Sequence, residues 1–308
     1  MQLRLLVVAF SLVITTVQAQ TKTAPPRALA VIAHPDDEGA FSATLYKIAK
    51  EQKGIVDIFC ITNGEAGFKY STLAESIYGL ELTDEKTGRK HLPAIRRQEL
   101  TNAGKLLGVR TIYFLNQTDA HYGQNEREPL DTSWNVKLVE DSLNRVLLHN
   151  KYDYVFTLFP SSQTHSGHKA ASILALRGIE KLPMGKRPII MAGSVISKKD
   201  TVVRRLQTLA GYPETTPLTD TANFKVLLSA PIGFGGKLNY NIIKGWEIAE
   251  HKSQGTMQLY MGRQNDYEVF WYFKLNGQAG LTKTAAFFKT LETVPYSVKS
   301  YPGSPGNQ

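Results

Sequence analysis

The sequence predicts an α/β fold: a mostly parallel sheet with helices on both faces. Three observations carry this. Apolar runs of strand length recur along the chain, such as Ala28–Ala33 and Tyr154–Phe159. Stretches with apolar residues at helical spacing separate them. Two clusters of histidine and carboxylate residues directly follow such runs, at the strand ends where parallel sheets open ligand crevices.

The elements follow in order. Ala28–Ala33 reads as a buried strand, and Phe41, Leu45, Ile48 and Ala49 mark a helix stopped by Gly54. Ile55–Thr62 is a second strand ending at Asn63-Gly64. Residues 66–92 read as a long polar loop, of the kind that is often functional. Pro93 is placed to open the next helix, with Ile95, Leu100, Ala103 and Leu107 on its apolar side and Gly108 as its stop. Thr111–Leu115 is a third strand, residues 116–135 a polar connection, and Val136–His149 a helix. Tyr154–Phe159 is the fourth strand, and Ala170, Ile173, Leu174 and Arg177 mark the helix after it. Pro188–Ala192 is a fifth strand. The last third is less regular, with a helix over Asn241–Arg263, a strand over Glu268–Leu275 and a short helix over Ala285–Thr290.

The 308 residues are 42% hydrophobic, enough for one large domain with its own core. Residues 1–19 read as a signal peptide: Arg4 supplies the positive start, Leu5 to Ile14 is apolar, and Val17-Gln18-Ala19 is a small-x-small cleavage site. The apolar run is short for a membrane span. The expectation is therefore an exported protein, periplasmic or extracellular, with a short leader over 20–27, one domain over 28–300 and no transmembrane segment in the mature form. The single cysteine, Cys60, permits no internal disulfide and reads as a small buried hydrophobe. The net charge of +9 is scattered, so it reads mainly as a solubilising surface and gives no specific support for nucleic-acid binding.

The chemistry lies in the two clusters. Ala33-His34-Pro35-Asp36-Asp37-Glu38 crowds one imidazole and three carboxylates where the first strand ends, and His165-Ser166-Gly167-His168 follows the fourth. His34 and Asp37 are three apart, close enough to face one ion, and His168 can arrive from the other strand end. Two imidazoles and a carboxylate suit a catalytic zinc with a position left for water, although iron, cobalt or manganese accept the same donors. Asp36 is then free to act as general base, and a protonated His165 can stabilise an oxyanion or protonate a leaving amine. The competing reading is plain capping, since aspartates at a helix start satisfy its free N–H groups without any metal.

At these residues the sequence resembles the PIG-L/LmbE-like family of zinc-dependent N-acetylglucosaminyl deacetylases. Ala33–Glu38 matches that family's first motif. Thr62-Asn63-Gly64-Glu65-Ala66-Gly67 resembles its second, Arg96-Arg97-Gln98-Glu99-Leu100 its Arg-x-x-Glu helix, and His251-Lys252-Ser253-Gln254 a late His-x-Ser-Gln element. The resemblance runs from about residue 28 to 275 and implies a Rossmann-like sheet of the LmbE type with an irregular C-terminal extension. It implies His34, Asp37 and His168 as Zn2+ ligands, Asp36 as base and His165 as oxyanion stabiliser or acid. It also implies Arg96 as a substrate-orienting residue, with a surface ion pair to Glu99 as the competing reading, and Asn63 and Glu65 as pocket residues. The implied substrate is an N-acetylated amino sugar, with cell-wall and lipid-linked forms among the candidates. One departure stands out: the family often reads His-Pro-Asp-His where this chain has Gly167 in place of the aspartate, and Asp119 is a candidate to replace that carboxylate. Phe68, Tyr70, Tyr78 and Tyr122 are candidates to stack on sugar rings. Two other readings keep the metal: a deacylase of another amide (lipid, antibiotic or peptide), and a non-catalytic carbohydrate-binding protein. The latter has no need of a free base at Asp36.

Overall fold

The computed structural model describes residues 24–200 and 203–296. The expected signal peptide and the first residues of the leader lie outside the described residues. A seven-stranded sheet organises the chain, in the order β3-β2-β1-β4-β5-β7-β6. Its strands are β1 (Arg27–Ile32), β2 (Ile55–Thr62), β3 (Thr111–Gln117), β4 (Tyr154–Leu158), β5 (Ile189–Ile196), β6 (Phe224–Leu227) and β7 (Tyr267–Tyr272). The first five are parallel; β7 runs antiparallel to β5, and β6 antiparallel to β7.

The central strands are apolar throughout because both faces are covered. Ala28 to Ile32 of β1 are wholly buried. The chain first winds outward from β1 to β2 and β3, then crosses back to place β4 on the other side of β1. Right-handed crossovers in opposite directions put their helices on opposite faces. On one face, helix α1 (Ser42–Tyr46, continuing as a wider turn to Glu51), α2 (Glu85–Leu107) and α5 (Asn241–Glu250) pack on one another. On the other, α3 (Val136–Asn150) packs on α4 (Ser166–Glu180), which lies over β1, β4 and β5. A last helix, α6 (Gly280–Leu291), stacks Phe287 on Tyr154 and Phe288 on Phe224. The reversal of winding leaves a crevice between the carboxyl ends of β1 and β4, the position where such sheets bind ligands.

Four expectations are corrected. The stretch 66–92 is not one open loop: it holds short helical turns over Glu65–Tyr70 and Glu75–Tyr78, and α2 begins at Glu85. Pro93 therefore lies inside α2 rather than opening it. The start is set by Asp84, whose carboxylate accepts the Thr87 N–H (2.9 Å), and by an i,i+4 pair between Glu85 and Arg89. The helix expected to run to Arg263 stops at Glu250. The C-terminal third is more ordered than expected, because β7 and the unforeseen β6 extend the same sheet.

Candidate active site

The loop after β1 and the start of α4 after β4 face each other across the crevice. His34, Asp36, Asp37, Asp119, His165 and His168 line a cavity of about 450 Å³ together with Arg96, Tyr70, Tyr122, Gln254 and Met257. Asp37 is the hub. Its Oδ2 accepts the backbone N–H groups of Ala33 (3.0 Å) and His34 (2.7 Å), which locks the turn, and lies 3.3 Å from His34 Nδ1. Its Oδ1 lies 2.9 Å from His168 Nε2. His34, His165 and His168 also offer ring nitrogens within 4.8 Å of one another. The structure thus brings together every residue expected to hold or serve a metal.

The electrostatics ask for a cation. Burial alone would lower the His34 pKa, yet Asp119 and Asp37 outweigh it and push the pKa up to about 10. Burial raises the Asp37 pKa, but His168 and His34 override it and hold the carboxyl well below its usual range. Asp119, whose Oδ1 lies 3.7 Å from His34 Nε2, is likewise brought down to about 2 against its own burial, mainly by His34. A buried imidazole that keeps a proton so tightly marks a strongly negative enclosure, which a divalent ion can satisfy in the proton's place. The donor set of imidazoles and carboxylate fits such an ion.

Asp36 does not cap a helix. Its side chain makes no cap hydrogen bond, and its backbone sits at φ 128° and ψ −14°. Its carboxylate turns to Arg96, with Nη2 3.0 Å from Oδ2. Burial raises its pKa to about 6 even though Arg96 pulls the other way. That value suits a base working near neutral pH.

Several expected roles change. Arg96 is neither a surface residue nor paired with Glu99. It is buried, and its two terminal nitrogens donate to the carbonyls of Gly64 and Pro35 while one also meets Asp36. Its partners are the two loops that frame the site, so it braces them and holds Asp36. Gly64 has φ 69°, and a side chain there would collide with the Arg96 guanidinium. Asn63 and Glu65 do not line the cavity; Ala66 and Gly67 of the same motif do. Of the aromatic candidates, Tyr70 and Tyr122 line it, whereas Phe68 packs against the Ala74, Leu82 and Leu92 cluster and Tyr78 donates to Glu99 (2.7 Å).

His165 is not the charged group that the sequence led us to expect. Burial drives its pKa down to about 3, with His34 and His168 adding to the shift. Its Nδ1 accepts the Gly167 N–H at 3.1 Å, so the neutral ring carries its proton on Nε2. Gly167 is built into this arrangement. A Cβ there would stand 3.1 Å from His34 Nε2 and 3.2 Å from His165 Nδ1. Asp119 supplies a carboxylate to the same enclosure from the β3 side, aimed mainly at His34.

Sequence reasoning missed a second buried group beneath the loop, formed by Glu38, Glu247 and His251. It also placed Glu99 only in the Arg-x-x-Glu motif or in a surface pair with Arg96, whereas its carboxylate accepts the Ser253 backbone N–H (2.8 Å) and hydroxyl (2.6 Å). The available signal was the late His251-Lys252-Ser253-Gln254 element, whose last residue lines the cavity.

The chain is similar to several known proteins. Residues 29–178 match the PIG-L family, described as GlcNAc-PI de-N-acetylase. A probable N-acetyl-alpha-D-glucosaminyl L-malate deacetylase 2 of Bacillus cereus is 23% identical over 175 residues, 57% of this chain and 70% of that protein. Among solved structures, an N,N'-diacetylchitobiose deacetylase from Pyrococcus horikoshii is 20% identical with a TM-score of 0.48, covering 88% of this chain and 80% of that one. GalB, the 4-carboxy-2-hydroxymuconate hydratase of Pseudomonas putida KT2440, is 16% identical with a TM-score of 0.50, covering 80% of this chain and 95% of that one; this likeness is one of fold alone. The family and the Bacillus cereus relative are named for N-deacetylation, the hydrolysis of an amide. Residues 29–178, just under half of the chain, carry the match to the PIG-L family.

Proposed function

We propose that this protein is an exported, zinc-dependent enzyme that removes the acetyl group from an N-acetylglucosamine-type substrate. The observation that carries the reading is Asp36: a carboxylate excluded from capping, raised to about 6, and held in the cavity beside the His34, Asp37 and His168 cluster. His34, Asp37 and His168 would hold the ion. A bound divalent cation supplies Lewis acidity toward water and an amide carbonyl.

The protein's own residues do the rest. Asp36 takes a proton from the water that attacks the amide carbon. The Nε2–H of His165 donates to the developing oxyanion. As the C–N bond breaks, the amine nitrogen takes the proton back from Asp36, leaving acetate and a free amino sugar. Tyr70 and Tyr122 stand at the cavity wall where a sugar ring can stack, with Tyr122 55% exposed. No helix among the described residues is long and apolar enough to cross a membrane.

The test is acetate release by the zinc-loaded protein from N-acetylglucosamine glycosides, chitooligosaccharides and cell-wall fragments. Asp36→Ala is expected to lower kcat by roughly 10²–10⁴-fold while keeping its metal. A fully metal-loaded wild type that releases acetate from no such substrate, but cleaves another acyl amide, would replace the sugar with that amide.

A further inference from the structure

Beneath the Asp36 loop, on the side away from the cavity, lies an enclosure that the reaction does not use directly. Glu38, Glu247 and His251 are each 0% exposed. None of them lines the cavity, so none can touch a substrate there. His251 Nε2 lies 2.6 Å from Glu38 Oε1 and 3.4 Å from Glu247 Oε1. The other oxygen of Glu38, Oε2, accepts the backbone N–H of Asp36 at 3.1 Å. The connection therefore runs from His251 through Glu38 to the backbone N–H of Asp36, the residue whose φ is 128°. Both oxygens of Glu247 lack a hydrogen-bond partner, and its Oε1 faces His251 Nε2.

We propose that His251 is a positioning residue, which by holding Glu38 fixes the Asp36 backbone in the conformation that presents its carboxylate to the reacting water. This rests on the deacetylase reading above. The surrounding wiring supports it. Arg96 holds Asp36 from the side chain, and Glu99, three residues along the same helix, holds Ser253, two residues after His251. Residues three apart share one helix face. The two restraints on Asp36, through its carboxylate and through its N–H, are thus both referenced to α2. Removing the imidazole would leave Glu38 a buried carboxylate without its cationic or hydrogen-bonding partner, and such groups turn away or take up a proton. Either change releases the Asp36 N–H and lets a strained residue relax.

The experiment compares His251→Ala, His251→Gln and Glu247→Gln in the full, zinc-loaded chain. Glutamine can place an amide N–H where Nε2 stood; alanine cannot. His251→Ala is expected to lose about 10–100-fold in kcat with KM and one bound metal retained, and His251→Gln to recover most of that loss. Crystal structures should show Asp36 at positive φ in wild type and His251→Gln and relaxed in His251→Ala. If His251→Ala does not fold, His251→Asn replaces it, since that amide stops short of Glu38. A wild-type kcat in His251→Ala, equal losses in the alanine and glutamine variants, or an unchanged positive φ at Asp36 would overturn the proposal. So would a second metal equivalent lost in Glu247→Gln, which would make the enclosure a cation site. A wild type that binds metal but cleaves no acetamide would count against the deacetylase reading alone, because the Asp36 φ still decides the positioning role.

Discussion

At the scale of single residues, the site is a contest between burial and charge. Burial raises Asp36 and lowers His165, giving a carboxyl near 6 and a neutral imidazole at neutral pH. Such a pairing separates the base from the hydrogen-bond donor by environment alone. Gly167 is where the sequence misled. Read from the motif, it is a missing carboxylate; in the structure it is a close approach, with its N–H fixing the His165 tautomer. Any side chain at 167 would press on His34 and His165. Gly167→Ala is therefore expected to weaken metal affinity by about 10–100-fold, measured by competition with a chelator, and Gly167→Asp to do no better. Higher turnover in Gly167→Asp would instead show that the carboxylate is limiting. The ligand candidates themselves were legible, because His34, Asp37 and His168 sit at strand ends that apolar patterning reveals. The partners of Arg96 were not, because two of them are backbone carbonyls of distant loops.

At the scale of elements, legibility followed apolar density. The bounds of β2 agree with its apolar run, and the strands flanking the crevice differ by a residue or so. The first eight residues of helix α2 were missed because its first two turns are polar and carry Gly88, with Pro93 just beyond them, while the Asp84 cap that starts it is a three-residue signal. Strand β6 was missed because it is only four residues long and two of them are exposed. The junction of α5 with the loop after β1 yields a pH prediction. Burial lowers the His251 pKa, but Glu38, Glu247 and Asp36 outweigh it and raise it from 6.5 to about 9. A histidine raised on folding stabilises fully below about pH 6.5, and that stability is lost as pH rises through about 9. Glu247, raised well above its ordinary value by burial and then by Glu38, acts in the same direction. The stability advantage of wild type over His251→Gln is expected to be on the order of 3 kcal/mol near pH 6. It should fade above about pH 9 in urea titrations; a gap constant from pH 6 to 10 would show that His251 is uncharged throughout.

At the scale of the whole molecule, the family match ends at residue 178, yet the machinery does not. The cavity is closed by Gln254, Thr256, Met257 and Tyr260, and β5 finds its outer partner only in β7. Phe270 of β7 packs on Phe156 of β4, and Glu268 reaches across to accept the N–H groups of Ala43 (2.8 Å) and Thr44 (2.9 Å) at the start of α1. Cutting the chain after residue 200 would expose the apolar edge and face of β5, leave Glu38 without His251 and leave those α1 donors unsatisfied. Each is a recognised route to severe destabilisation. A chain spanning residues 24–200 is accordingly expected to lack a cooperative urea transition by far-UV circular dichroism and to bind no stoichiometric zinc, whereas residues 24–296 do both. If the shorter chain folds and binds zinc with the affinity of the longer one, the C-terminal third is a specificity layer added to a self-sufficient domain. If it does not, the two antiparallel strands and α5 are part of the catalytic core, and the element from His251 to Gln254 belongs with the first motif as one functional unit.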